Sequence, residues 1–297
     1  MISYFFAGKG GTGKTTVAAG FAMQLAAGGH KTLLVSLDPA HSIGDILDPA
    51  SADGKELSGN LTVQEPDFDR INEDYLKRQL DTLREMNNRL TAFSLDHLLD
   101  TLEYSPGQEE YAVILHLKSV LETEDDNYEY AVFDTPPTGM ILRIFSLPLR
   151  SRIWLDKLAA LRRKIVDRRE LIGEIRKKEQ AEDYYRKDPV LDKLKELSSE
   201  YSALEEFFRD RARVYLVLNN DRLALAESAR LKQKLERMGI RLSGIINNKF
   251  RESESTALLE STGFDPGEMI QVPELKADRA GRYSLPQNLS EELIGNG

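Results

Sequence analysis

The sequence contains no cysteine and only four histidines among its 297 residues. Without thiols the chain cannot form disulfides, iron–sulfur clusters or thiolate metal sites, and four scattered histidines leave little for a dedicated metal site beyond Mg²⁺. No apolar run approaches the roughly 20 residues that a membrane-spanning helix needs. The N-terminus has the pattern of a core strand rather than of a signal peptide. These absences predict a soluble, cytoplasmic protein with no stable membrane insertion.

Basic residues are also in deficit. The chain has 40 Lys and Arg against 49 Asp and Glu, a net charge of −9, and a sequence pI of about 5.2. An acidic chain is a poor nonspecific ligand for nucleic acid, so no nucleic-acid partner is expected. A mass of 33.6 kDa suits one large α/β domain, or such a domain with an inserted lobe. We expect residues 1–297 to form a single domain.

One glycine-rich stretch has the residues of a phosphate-binding loop. It follows the apolar run Ile2–Ala7, typical of a buried strand, and precedes the helical pattern Val17–Ala26. In this context the pattern G-x-x-x-x-G-K-[ST] predicts backbone N–H groups that bind phosphate. Lys14 is expected to reach the β- and γ-phosphates, and the Thr15 hydroxyl to ligate Mg²⁺. A turn that binds nothing is the disfavoured alternative. The predicted loop comprises Gly8, Lys9, Gly10, Gly11, Thr12, Gly13, Lys14, Thr15 and Thr16.

The loop contains a second lysine, Lys9. It is either a plain surface lysine or a residue that serves the nucleotide of a facing subunit. Both interpretations stay open at this point.

A carboxylate follows the next predicted strand, Thr32–Leu37. The βαβ unit predicts a mostly parallel sheet flanked by helices, and such sheets place ligands at the carboxyl ends of their strands. There Asp38 can orient or deprotonate the water that attacks a γ-phosphate, or else simply cap the short helix that follows. Asp45 is a supporting partner or a surface charge. The predicted first switch segment contains Asp38, Pro39, His41, Ser42 and Asp45.

A second carboxylate ends the predicted strand Tyr130–Asp134. Asp134 stands at the usual position of a Mg²⁺-holding aspartate, which acts through water or the Thr15 hydroxyl. The following residues predict a loop whose Gly139 N–H senses the γ-phosphate, with a simple turn as the alternative. This second switch segment contains Thr135, Pro136, Pro137 and Gly139.

The apolar spacing predicts a helical lobe from about 66–125 and 150–213. In the first part, Ile71, Leu76, Leu80, Leu83, Met86, Leu90 and Phe93 recur at helical spacing. The second part predicts a long charged antiparallel helical hairpin that turns near 187–189. Each helix has a narrow apolar seam, and the two seams are expected to pack against each other rather than form an exposed client-binding groove. The predicted seams are Leu158, Leu161, Ile165, Ile172 and Ile175, and Val190, Leu194, Leu197, Tyr201, Leu204 and Phe208.

The last strands predict the base site. A strand over Leu242–Ile246 is followed by two asparagines, and an Asn amide both donates to and accepts from adenine. Arg251 stands where a guanine site typically has a carboxylate, so ATP is favoured over GTP. We expect Asn248 to contact the base and Pro273 to border it.

Together these residues resemble the ArsA/GET family of ATPases with a deviant Walker-A loop, the arsenical pump-driving and tail-anchored-protein targeting ATPases. The resemblance covers most of the chain outside the hairpin. It rests on the loop Lys9–Thr16, on Asp38–Ser42 and on Asp134–Gly139. Further similar elements are Pro106-Gly107 with Glu110, Leu142-Arg143, Leu147-Pro148, Leu223–Glu227, Arg230-Leu231 and Asn248.

The resemblance implies a P-loop NTPase fold and a homodimeric Mg²⁺-dependent ATPase that opens and closes with its nucleotide state. It implies that Lys9 reaches across the dimer, that Asp38 positions the attacking water and that Asn248 contacts adenine. A membrane-protein client is the implied partner, with a folded protein engaged through the hairpin as the alternative. The absence of cysteine excludes a thiol arsenite site and a bridging zinc site. A ParA/MinD-type positioning ATPase is the runner-up, since it shares the deviant loop.

Overall fold

The computed structural model describes residues 1–40, 43–44, 53–86, 107–175, 188–251, 257–274 and 289–295, without the side chains of 53–58, 79–86, 169–175 and 295. The predicted switch residues His41, Ser42 and Asp45 lie outside this part. So do Pro106, Leu90 and Phe93, and the side chains of Leu80, Leu83, Met86, Ile172 and Ile175.

In the described part of the chain, one sheet runs through the molecule. Its strands are β1 (Ile2–Ala7), β2 (Thr32–Ser36), β3 (Asp53–Ser58), β4 (Leu61–Gln64), β5 (Tyr130–Asp134), β6 (Ala212–Leu218), β7 (Leu242–Phe250) and β8 (Met269–Pro273). The spatial order is β3-β4-β2-β5-β1-β6-β7-β8. All neighbouring pairs are parallel except β3 with β4. The predicted mostly parallel α/β fold is confirmed.

Helices connect these strands. They are α1 (Lys14–Ala27), α2 (Phe68–Met86), α3 (Gln108–Thr123), α4 (Thr138–Ile175), α5 (Pro189–Glu206), α6 (Arg222–Arg237), α7 (Ala257–Ser261) and α8 (Leu289–Gly295). A π-helical turn at Phe207–Arg211 joins α5 to β6, and a 3₁₀ turn at Pro266–Glu268 precedes β8.

Central strands carry large apolar side chains on both faces because helices cover both faces of a parallel sheet. On one face Tyr4 and Phe6 pack with Phe21 of α1, and all three are fully buried. On the other face Phe5 stacks on Phe133 with ring centroids 4.5 Å apart. This packing places the ends of β1 and β5 side by side at the edge where the P-loop begins.

The chain divides into two compact units, one formed by Met1–Ile144 with Arg211–Gly297 and the other by Phe145–Asp210. The second unit is an antiparallel helix pair. Arg152 bonds Glu205 at 3.0 Å, and Arg162 bonds Asp188 at 2.8 Å. As the residue number rises along α4, its partner's number falls along α5, which establishes the antiparallel hairpin that the sequence predicts.

The predicted seam on α4 is wrong. Leu161 and Ile165 are 56% and 38% exposed, whereas Leu155 and Ala159 are buried. Leu158 is half-buried, and the facing helix buries Leu204 and Phe208 as predicted but leaves Val190 exposed. The buried stripe on α4 lies one residue position further along the sequence than the predicted stripe. Arg162 continues the buried stripe because its charge pairs with Asp188.

Two elements were not predicted. The edge strand β3 pairs antiparallel with β4, although its sequence has little apolar character. The second switch segment is not a loop throughout, because α4 begins at Thr138 and includes Gly139 in its first turn. Pro136 and Pro137 end the extended segment, and the Pro137 carbonyl accepts from Met140 N and Ile141 N.

Candidate active site

The predicted phosphate-binding loop lies between β1 and α1, as its sequence context requires. Gly11 and Gly13 adopt left-handed φ angles of 83° and 86°, which favour glycine. Thr12 is buried, and its hydroxyl donates to the Lys9 carbonyl at 2.9 Å. Lys14 is the first residue of α1 and is only 6% exposed. The loop therefore presents backbone N–H groups and the positive end of a helix at one place.

Three predicted residues, Lys14 at the start of α1, Asp38 after β2 and Asp134 at the end of β5, interact electrostatically. Burial lowers the pKa of Lys14, while the carboxylates of Asp134 and Asp38 raise it in that order, followed by Glu227. The carboxyl ends of β1, β2 and β5 therefore converge on the P-loop lysine. Sequence reasoning anticipated the first two carboxylates but gave Glu227 no part in this group.

Asp134 has the most perturbed acidity of this group. Its side chain is fully buried, and neither carboxylate oxygen has a hydrogen bond within the described part of the chain. Burial raises the pKa of Asp134 to about 7, although the Thr15 hydroxyl and the Lys14 ammonium oppose this shift. A buried carboxylate beside the Thr15 hydroxyl has the donor chemistry of a ligand for a hard cation.

The first switch segment is described only in part. Asp38 follows β2, and its Oδ1 accepts from the backbone N–H of Ala40 at 3.1 Å. One carboxylate oxygen therefore contributes to the turn at Asp38–Ala40. Pro39 is half-buried beside it.

A residue that the sequence reasoning missed supports this segment. Glu65 ends β4, and its Oε1 accepts from the N–H groups of Ile43 at 2.9 Å and Gly44 at 3.1 Å. The Glu65 charge also raises the pKa of Asp134. A lone Glu after a short strand carries no distinctive sequence signal, so only the fold could reveal this role.

The second switch segment is anchored to the P-loop strand. The buried Thr135 hydroxyl donates to the Phe6 carbonyl at 2.7 Å, two residues before Gly8. Pro136 is buried, whereas Pro137 and Gly139 are exposed. Further along α4, Arg143 forms an ion pair with the nearly buried Glu110 of α3. Two of the elements on which the family resemblance rests therefore contact each other.

The end of β7 contacts the P-loop directly. The Asn248 Nδ2 donates to the Thr12 carbonyl at 2.8 Å, and the Lys249 Nζ donates to the Gly11 carbonyl at 3.1 Å. Asn248 is 5% exposed, whereas Pro273 at the end of β8 is exposed. The predicted contacts of Asn248 and Pro273 with adenine stay predictions, and the contact of Lys249 was not foreseen.

Lys9 turns toward α6. Its Nζ lies 3.8 Å from Asp221 Oδ1, at the N-cap of that helix. Lys9 also lines a cavity of about 430 Å³, together with Thr138, Gly139, Leu142, Leu223, Ala226, Glu227, Arg230, Leu231 and Lys234. Glu227 and Arg230, which belong to the α6 segment that resembles the family, therefore line the same cavity as Gly139 of the second switch segment.

Comparison with known proteins agrees with this arrangement. The family model described as anion-transporting ATPase (ArsA) matches residues 1–262. The chain belongs to the ArsA ATPase family.

Two relatives show how far the similarity to ArsA-family proteins extends. The chain is 31% identical over 249 residues to the putative arsenical pump-driving ATPase 2 of Aquifex aeolicus, covering 84% of this chain and 80% of the relative. It is 31% identical over 281 residues to the ATPase GET3B of Arabidopsis thaliana, covering 85% of this chain and 65% of the relative.

Membership of the ArsA family makes this protein an ATPase with ATP as its substrate. The sequence contains no cysteine. Within the residues that the structure describes, none of the helices combines the length and apolar character needed to cross a bilayer.

Proposed function

We propose that this ArsA-family ATPase works as a homodimeric, Mg²⁺-dependent switch that handles hydrophobic segments of client proteins. The proposal joins three parts, namely hydrolysis at the P-loop, pairing of two chains through Lys9, and client binding on the hairpin. The single observation that carries the client part is an exposed apolar stripe on α4.

Mg²⁺ would be held by the Thr15 hydroxyl and, directly or through water, by Asp134. Asp134 fits this role because its carboxylate is fully buried beside the Thr15 hydroxyl, and a bound cation would neutralise its buried charge. When bound, the ion would neutralise charge on the β- and γ-phosphates. Lys14, buried at the start of α1, would contribute a fixed positive charge to the same phosphates.

Asp38 would orient the attacking water. Its Oδ1 accepts from the Ala40 N–H, which restrains the rotation of the carboxylate, and Oδ2 would contact the water. The Asp38→Asn variant should therefore bind ATP with little change and lose at least about 100-fold in kcat. A kcat near that of the unaltered protein would remove Asp38 from this role.

The client-binding stripe consists of Trp154, Leu158, Leu161 and Ile165, at the i, i+4, i+7, i+11 spacing of one helix face. Trp154 is 62% exposed and Leu161 is 56% exposed, far more than the packed residues of the same helix. Leu158 between them is half-buried, and a row of large apolar side chains that solvent reaches is typical of a surface that binds another apolar segment. The alternative occupant is a folded acidic partner, favoured by seven basic and two acidic side chains over 150–168.

The decisive experiment uses the Asp38→Asn variant to hold the ATP-bound form. It is co-expressed with a soluble reporter that ends in one transmembrane helix, and the complex is purified with Mg²⁺ and ATP. We expect the reporter to remain bound and soluble, and to be lost when Leu161 and Ile165 are also changed to Ser.

The control variant changes Leu223, which is 70% exposed on another helix, to Ser. Its complex should match that of the trap alone. If the trap dimerises but captures no reporter, the client part of the proposal fails and the folded-partner alternative stands.

A further inference from the structure

The end of β7 carries an unusual backbone conformation beside the P-loop. Lys249 has φ of 59° and is the one non-glycine residue with a positive φ in the described part of the chain. Such a conformation is uncommon for lysine and costs free energy unless surrounding contacts maintain it. Strained residues of this kind cluster at functional sites, which directs attention to what Lys249 touches.

The strain coincides with a β-bulge. The pairing of β7 with β8 matches Asn248 to Val272 and Phe250 to Pro273, so Lys249 is an extra residue between two paired ones. Consecutive side chains of a regular strand point to opposite faces, whereas a bulge re-aims them. Here both Asn248 and Lys249 reach the P-loop, which a regular strand would not allow.

The two side chains bond consecutive carbonyls of the P-loop. Asn248 Nδ2 donates to Thr12 O at 2.8 Å, and Lys249 Nζ donates to Gly11 O at 3.1 Å. The contact of Asn248 also requires a glycine at position 13, because a Cβ there would lie 2.3 Å from Asn248 Nδ2. The glycine at this position therefore permits the approach of β7 as well as the turn itself.

Holding a carbonyl also sets the direction of an N–H group. A trans peptide is planar, so the N–H that follows a carbonyl points the opposite way. The bond to Thr12 O fixes the Gly13 N–H, and the bond to Gly11 O fixes the Thr12 N–H, which donates to the Lys9 carbonyl at 3.4 Å and so maintains the turn of the loop. Donation to a carbonyl also polarises its peptide and strengthens the N–H as a donor. N–H groups of this loop are the groups that bind phosphate.

We propose that Asn248 and Lys249 form a clamp that holds the P-loop in its phosphate-binding geometry before ATP arrives. Both act as positioning residues through the loop. The proposal rests on ATP binding at the P-loop. It differs from base recognition in one measurable respect, since a clamp affects every ligand that carries the polyphosphate, with or without a base.

The test compares Mg²⁺ complexes of ATP, GTP and inorganic tripolyphosphate, each measured by calorimetry or by displacement of a fluorescent ATP analogue. Lys249 is exposed, so Lys249→Met should fold normally. We expect it to weaken all three ligands by a similar factor of roughly fivefold to tenfold, with Lys249→Arg recovering most of the loss. Asn248→Ala should also weaken tripolyphosphate.

Two controls separate the clamp from other effects of removing a charge. Arg251→Gln removes a nearby cation that pairs with Glu274 rather than with the P-loop, and it should change tripolyphosphate affinity by less than about twofold. In the nucleotide-free protein, Lys249→Met should shift the amide NMR resonances of Thr12 and Gly13, because the clamp acts before any ligand binds.

Three results would overturn the clamp. One is that Lys249→Met leaves all three affinities unchanged, and another is that Asn248→Ala weakens only the ligands with a base. The third is an equal loss without any change in the nucleotide-free amide resonances, which would mean direct contact of Lys249 with phosphate. If the unaltered protein binds none of the ligands, the P-loop assignment itself fails, and this outcome is distinct from the other three.

Discussion

Asp134 illustrates how the fold creates chemistry that the residue lacks in water. A carboxyl group with an ordinary pKa near 4 is placed at the end of a central strand, where burial raises its pKa to about 7. Without a bound cation the buried charge is costly, so the carboxyl of the nucleotide-free protein releases its proton only around neutral pH. A cation that replaces the proton would remove this cost.

The pH dependence of stability tests this account of Asp134. Between about pH 4 and pH 7 the native carboxyl keeps a proton that the unfolded chain has released, so its contribution to the free energy of unfolding falls as pH rises. Asn cannot ionise. We therefore expect the Tm of nucleotide-free Asp134→Asn, minus the Tm of the unaltered protein, to increase by about 3 °C or more from pH 5 to pH 8. Calorimetry in EDTA measures both Tm values. A difference in Tm that does not vary with pH would contradict it.

At the scale of an element, the P-loop is packed against the sheet at its first glycine. A Cβ on Gly8 would lie 2.2 Å from the Val217 carbonyl oxygen in β6, and that backbone atom cannot move aside. The strand pairing that brings β1 beside β6 therefore leaves room only for glycine where the loop begins.

We predict that Gly8→Ala lowers the free energy of unfolding by about 1–3 kcal/mol, because overpacking forces the backbone to shift. The matched variant is Gly10→Ala, where a Cβ would meet nothing within 4 Å, and its effect should stay within about 0.5 kcal/mol. Both are measured without nucleotide by urea denaturation, so that contacts to phosphate play no part. Equal effects at the two positions would show that the contact with β6 is unimportant.

The hairpin offers a second pair of matched substitutions. Leu155 is 4% exposed and Leu161 is 56% exposed on the same helix. Leu155→Ala should cost about 2–4 kcal/mol through the cavity that it leaves, whereas Leu161→Ala should cost less than about 0.5 kcal/mol. Urea denaturation followed by far-UV circular dichroism measures both. A larger cost at Leu161 would restore the seam that the sequence predicts.

The error in the seam has a physical origin. Leu158, Leu161 and Ile165 form a perfectly regular apolar stripe, and spacing alone assigns such a stripe to the core. The structure buries Leu155 and Ala159 and continues that face with Arg162, whose charge is paired with Asp188. A charged residue on a buried helix face interrupts the apolar spacing, so hydrophobic periodicity alone does not identify that face as buried. The pairing partner, 26 residues away, becomes visible only after folding.

The P-loop and the central strands were predictable because each has a strong local signal. Ile2–Ala7 and Tyr130–Asp134 are apolar runs ended by a glycine loop or a carboxylate, and both end at the same edge of the sheet. The contacts of Glu65 and Lys249 were not predictable, because they depend on register and on a bulge rather than on composition. Local sequence therefore locates the glycine-rich loop and the carboxylates at strand ends, and long-range pairing determines which residues contact them.

At the scale of the whole molecule, the proposed pairing of two chains depends on Lys9. In the single chain its Nζ faces Asp221 and the cavity beside α6. If Lys9 serves a facing subunit, Lys9→Ala combined with Asp38→Asn should abolish the ATP-dependent dimer seen with Asp38→Asn alone, measured by sedimentation velocity. Lys9→Ala alone should lose at least about tenfold in kcat, since a cation supplied across an interface stabilises transition-state charge.

Lys234→Ala, which removes another cation lining the same cavity, should keep the dimer and stay within about twofold in kcat. An intact dimer and unchanged kcat for Lys9→Ala would make Lys9 an ordinary surface lysine and would leave pairing without its proposed residue.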